Sequence, residues 1–132
     1  MKLVVIDTNV LVSAVLSPDG NPALILNMIS HSKLHLFYSE KIIDEYRRVL
    51  TYERLNISSE TQGKAIEGIK NIGTLIKPPF STVPLPDETD RIFYDTAIFA
   101  GAVLVTRNIK HFPDEQFIMT PAEILRKIEI VI

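Results

Sequence analysis

The sequence predicts an α/β fold in which a parallel sheet is the middle of three layers. Short β-rich runs alternate with amphipathic stretches along the chain, the signature of repeated strand–helix units. Leu3 to Ile6 is apolar throughout, as in a strand covered on both faces. No internal repeat, low-complexity tract or linker interrupts the pattern, and 132 residues suit one domain, 1–132.

The elements follow in order. After the first strand a helix is expected from Asn9 to Leu16, broken by Pro18, Asp19 and Gly20. Asn21 is expected to cap a second helix, with Pro22 at its first position, running to Ser30. Leu34 to Tyr38 reads as a strand. Ser39 caps a helix reaching Thr51, and a further amphipathic helix is expected over Ser59 to Leu75, ended by Lys77-Pro78-Pro79. Phe80 to Leu85 reads as a weak strand or extended segment. A helix from Glu88 ends at Gly101, a residue suited to a C-terminal cap. Ala102 to Val105 and Phe117 to Met119 are strands. Thr120-Pro121-Ala122-Glu123 opens the last helix with a capping box, and that helix extends to Ile128. Right-handed crossovers would join the parallel strands.

Composition removes several classes. The chain has no cysteine, which excludes disulfides, zinc–thiolate sites and thiol catalysis and fits a cytoplasmic setting. No apolar run approaches the roughly 18 residues of a membrane span, and the start turns acidic too soon for a signal peptide. Formal net charge is −2, so the basic field of a simple nucleic-acid-binding module is missing. A nuclease is not excluded, because bound metal supplies positive charge locally.

The acids carry the chemistry. Asp7 directly follows the first strand, and in open parallel sheets ligands bind at the carboxyl ends of strands. It suits metal or phosphate chemistry there, and equally suits capping the next helix. On a helical wheel Ile42, Ile43, Tyr46, Val49 and Leu50 form one face. Asp44 points opposite, and Glu45 falls on the boundary, within reach of a cleft or of Lys41 and Arg48. Asp87, Glu88 and Asp90 suit a helix N-terminus electrostatically. Asp90 lies at the edge of the face formed by Phe93, Thr96, Ala97 and Ala100, while Asp95 is expected further toward water. Thr106-Arg107-Asn108 marks a second strand end, where polar groups can converge on Asp7 or simply shape a turn. His111 reads as structural. His31 and His35 have no partners at zinc-ligand spacing.

Together these pieces resemble the PIN-domain family, in particular the branch of VapC-like toxin components of toxin–antitoxin systems. The resemblance spans Ile6-Asp7-Thr8-Asn9, Glu45 on a mid-chain helix, and Asp90 opening a helix that leads to Val103-Leu104-Val105-Thr106-Arg107-Asn108 and on through His111-Phe112-Pro113. It implies a Rossmann-like α/β/α fold and Mg²⁺- or Mn²⁺-dependent cleavage of RNA, with Asp7, Glu45 and Asp90 as the catalytic and metal-binding acids. A small antitoxin protein and a homodimer are the partners implied. The family often has a fourth acid where this chain has Asn108. Asn9 and Thr106 would orient Asp7 or a water, and Arg107 would meet substrate phosphate. Mg²⁺ binds through one or two carboxylates plus water and phosphate, and a cation relieves the repulsion of crowded carboxylates. A haloacid-dehalogenase-like phosphatase also places an acid after its first strand, but it needs an acid and a threonine where Asn9 and Leu11 stand. The remaining alternative is a PIN fold that has lost catalysis and only binds protein.

Overall fold

A computed structural model describes residues 2–131, with side chains through residue 128. Five parallel strands form one sheet in the order β3-β2-β1-β4-β5: β1 (Lys2–Ile6), β2 (Leu34–Tyr38), β3 (Gly73–Leu75), β4 (Val103–Val105) and β5 (Ile118–Met119). Helices complete the α/β/α layering. They are α1 (Thr8–Leu16), α2 (Asn21–Ser30), α3 (Glu40–Leu50), α4 (Ser59–Ile72), α5 (Arg91–Ala100) and α6 (Pro121–Val131).

The core forms where the alternation placed it. Val4, Val5, Ile6, Leu104 and Val105 are wholly buried in the two central strands, and α5 packs across β1, β2 and β4. From β1 the chain winds outward through β2 and β3, then crosses back so that β4 lies on the other side of β1. The order reverses between β1 and β4, and in this architecture the crevice opens at such a reversal, outside the strand ends. Asp7 and Thr106 are the first residues beyond those two ends.

The structure corrects several expected boundaries. The helix expected over Ser59 to Leu75 stops at Ile72, and Gly73–Leu75 is the third strand. Gly73 allows the change of course, since a Cβ there would stand 2.9 Å from Tyr38 Cδ1. Phe80 to Leu85 therefore lies outside the sheet, held by Arg91 through the Ser81 and Val83 carbonyls. Gly20, not Asn21, caps α2, and Asn21 is already helical. The expected helix from Glu88 starts as a 3₁₀ turn, Glu88–Asp90, before α5. Gly101 ends α5 with φ 64°, the left-handed conformation its position requires. Ser39 caps α3 as expected, and Thr120 and Glu123 bond reciprocally at the start of α6.

Candidate active site

Asp7 is fixed through both of its carboxylate oxygens. Its Oδ1 accepts the Thr8 N–H at 2.8 Å, which caps α1, while Oδ2 accepts the Thr106 hydroxyl at 2.7 Å and the Asn9 carboxamide at 3.3 Å. Its own N–H donates to the Val105 carbonyl at 2.9 Å, extending the β1–β4 ladder by one residue. One residue earlier, the buried Tyr46 hydroxyl donates to the Ile6 carbonyl and ties α3 to the same strand end. Burial raises the Asp7 pKa above its usual value, against the Thr106 and Thr8 hydrogen bonds, and Glu45 pushes it further up.

Asp90 lines, together with Asp7, a cleft of about 530 Å³. Its Oδ2 is buried without a hydrogen bond, with His111 Nδ1 3.5 Å away. Burial, then the neighbouring charge of Asp7 and Asp87, pushes its pKa up to about 6. The cleft also takes in Asn9, Arg107 and Asn108.

Glu45 is placed differently. Its Oε2 accepts the Thr8 hydroxyl, and its Oε1 lies 3.5 Å from Arg48 Nη2. It stands beside the cleft, one threonine away from Asp7. Among the described residues no three acids or histidines are gathered closely enough to enclose one ion. The chemistry of Asp7 and Asp90 suits a divalent cation, because these carboxylates repel each other and one buried oxygen of Asp90 accepts no hydrogen bond. Two carboxylates, water and substrate phosphate form a common Mg²⁺ donor set.

The other expected residues spread along the rim. Asn9 bridges Asp7 to the Arg107 N–H, which its Oδ1 accepts at 3.2 Å. The Arg107 guanidinium is exposed and donates to Ser13 Oγ at 2.6 Å. Asn108 lines the cleft. Its N–H donates to Thr106 Oγ1 at 3.0 Å, but its side chain does not cap the 3₁₀ turn that follows. Sequence reasoning missed Thr8, which links Asp7 and Glu45 through its N–H and hydroxyl, and His111, read as structural, sits beside Asp90. Asp95, expected toward water, is only 6% exposed.

A family model described as "PIN domain" matches residues 3–110. The chain belongs to the PIN-domain family. That places it among nucleases, hydrolases that cut nucleic-acid phosphodiesters. The uncharacterized protein MJ1680 of Methanocaldococcus jannaschii is 29% identical over 106 residues, 78% of this chain and 68% of that protein. PAE2754 of Pyrobaculum aerophilum shares the fold with a TM-score of 0.64 at 16% identity, over 98% of this chain and 90% of that one. VapBC2 of Rickettsia felis, bound to a DNA fragment from its promoter, matches with a TM-score of 0.58 at 17% identity, over 82% and 89% of the two chains. Like those neighbours, this PIN domain is an α/β sheet protein, and among its described residues no helix is long and apolar enough to cross a membrane.

Proposed function

We propose that this PIN domain is an endoribonuclease dependent on Mg²⁺ or Mn²⁺, with Asp7 and Asp90 as direct metal ligands and Glu45 acting directly or through water. The observation that carries this reading is the pair itself: two acids from separate elements meet in one cleft at the sheet reversal, and a buried Asp90 oxygen is left without a donor. A divalent cation held there by Asp7 and Asp90 would supply an activated water and would stabilise the leaving oxygen. Thr106 and Asn9 hold the Asp7 carboxylate in one orientation. Arg107 is exposed at the rim, where it can exchange Ser13 for a phosphate oxygen.

The biological role we infer is that of a toxin component with a small antitoxin partner, by analogy with the VapBC2 assembly. A homodimer is part of the same proposal. Leu24, Ile98 and Phe99 are large apolar side chains about half exposed, and a partner would cover them. A cytoplasmic setting goes with this role.

The test is cleavage of single-stranded RNA by the purified protein with Mn²⁺, repeated in chelator and with Asp7→Asn. Cleavage lost in both is the expected result, and cleavage that persists in chelator refutes the reading. Two observations favour a second reading, a PIN fold that only binds protein: among the described residues no three-acid group encloses an ion, and Asn108 stands where the family often has an acid. No cleavage with any divalent cation would select it.

A further inference from the structure

The wall of the acid cleft near the end of α3 has the make-up of a nucleobase platform. Tyr52 and Arg54 both line the cleft that holds Asp7 and Asp90. The Arg54 guanidinium carbon sits 5.0 Å from the centroid of the Tyr52 ring, and that of Arg48 sits 5.8 Å away. Arg48 also donates to the Tyr52 hydroxyl and lies 3.5 Å from Glu45.

The local backbone builds this wall deliberately. Three successive tight bonds, Tyr52 N–H to Val49, Leu55 N–H to Tyr52 and Asn56 N–H to Glu53, turn the chain sharply after α3. Asn56 closes the turn at φ 53°, a left-handed conformation that asparagine tolerates better than most residues. The result is an aromatic ring flanked by two cations, with Val49 and Leu55 as apolar neighbours in the same wall. Nothing in the core needs Tyr52. The other tyrosines, Tyr38, Tyr46 and Tyr94, are buried, whereas Tyr52 is partly exposed.

We propose that Tyr52 and Arg54 stack a base of a single-stranded RNA next to the phosphate held at Asp7 and Asp90, with Arg48 fixing the ring. The inference rests on the nuclease reading of that cleft. Aromatic rings and guanidinium planes stack any base, because every base has a π-face, and they act on unpaired strands. A paired base keeps its faces covered in the duplex, so the platform selects single strands without demanding a sequence.

The experiment measures binding in chelator, where no cut is made, at low salt. The probes are a single-stranded RNA, the same sequence as a duplex, and an abasic phosphodiester strand of equal length. The expected result is tighter binding of the single strand than of the duplex. Tyr52→Ala should weaken it roughly tenfold or more, and Tyr52→Phe should change little, because stacking strength lies in the ring. Tyr52→Ala should leave the abasic strand's affinity unchanged. With no tryptophan in the chain, tyrosine emission should also fall on binding the base-bearing strand in the wild type, but not in Tyr52→Phe or Tyr52→Ala, which both lack the reporting tyrosine. Equal loss for abasic and base-bearing strands, equal binding of the duplex, or no binding of the single strand would each overturn the platform. The nuclease reading fails separately: a strand bound through Tyr52 but never cut with Mn²⁺ refutes catalysis and keeps the platform, while normal cleavage with Tyr52→Ala silent does the reverse.

Discussion

Asp90 and Asp95 lie on the same stretch of chain, one at the N-terminus of α5 and one within it, and both have an oxygen buried without a hydrogen bond. They differ in what the protein offers as compensation. Asp95 accepts the Ser81 N–H at 3.0 Å and has the Arg91 guanidinium 3.8 Å from its other oxygen. Arg91 is itself held by Glu88 and by the Ser81 and Val83 carbonyls, so this acid meets a permanent cation built into the fold. Asp90 meets Asp7, Asp87 and Glu45, and on the other side only a histidine that is charged when protonated. A buried charge is tolerated when paired. The first acid is paired from within, and the second is not, which under the proposed function leaves it for a cation from outside.

The largest expected effect separates the two regions by activity. Asp7→Asn keeps the shape of the side chain but removes the charge and should lower RNA cleavage by about 10²-fold or more, the scale of losing one group that stabilises a transition state. Its melting temperature should not fall. Asp44→Ala is the control, because Asp44 is exposed on the far side of α3 and should leave the rate unchanged. A rate assay across the three proteins checks both statements, and an inactive Asp44→Ala would break the assignment of α3's faces.

Next comes the inverse test on the paired acid. Asp95→Ala leaves the Ser81 N–H unsatisfied and removes a partner from Arg91. It should destabilise the fold by about 1–3 kcal/mol, the usual cost of orphaning buried polar groups. Urea unfolding measures it, and a stability equal to wild type would show that Asp95 is not the internally compensated acid.

These two acids also show what was legible in the sequence. Asp7 and Thr106 were readable because a strand end is a local feature, and the apolar runs before them are unambiguous. The burial of Asp95 was not. A helical wheel sees only the apolar residues of its own helix, whereas Asp95 is covered by Ser81, delivered by a segment with no regular structure. The same limit hid the end of α4: Ile72 and Leu75 keep a helical rhythm, but the Tyr38 ring lies against Gly73 and the chain joins the sheet instead. Glu45 was correctly placed on the boundary of α3. Its contact with Arg48 is the i,i+3 pairing open to it on the helix, but its hold on Thr8 depends on a threonine 37 positions away, and no local pattern encodes that.

The pH dependence sharpens the contrast. Asp90 has its pKa raised to about 6 from 3.8. In the metal-free protein the folded state holds that proton more tightly than the unfolded state does. The stability from this group is thus present below pH 3.8 and is lost as pH rises through about 6. The Arg91 cluster slopes the other way: Arg91 lowers the Glu88 pKa from 4.5, so its contribution is present above that value and is lost as pH falls. Asp90→Asn should therefore stabilise the metal-free protein at neutral pH, by about 1 kcal/mol once solvent screening of a partly exposed group is allowed for. It should also flatten the stability profile between pH 4 and 6. Mg²⁺ should raise the melting temperature of the wild type and raise it much less in the variant. Thermal melts across pH with and without Mg²⁺ decide this, and a destabilised Asp90→Asn would place Asp90 with Asp95 as a structural acid.

The smallest effect concerns the residue that separates this chain from the usual family pattern. Asn108 lines the cleft, and its carboxamide does not cap the following turn, so it is free to face a ligand. Affinity for a hard divalent cation rises with the number of anionic ligands. Asn108→Asp adds a charge on the rim, where solvent screens it, so the gain should be modest: a few-fold tighter Mn²⁺ binding, corresponding to roughly 1 kcal/mol or less. The half-maximal Mn²⁺ concentration for cleavage should fall in step. In chelator the same substitution should lower stability slightly, because a further carboxylate joins Asp7 and Asp90 with no cation among them. A residue that only shaped the turn through its backbone would show neither change, since the Asn108 N–H to Thr106 bond survives the substitution. Calorimetric titration of Mn²⁺ into both proteins makes the distinction, and equal affinities would move Asn108 out of the acid site.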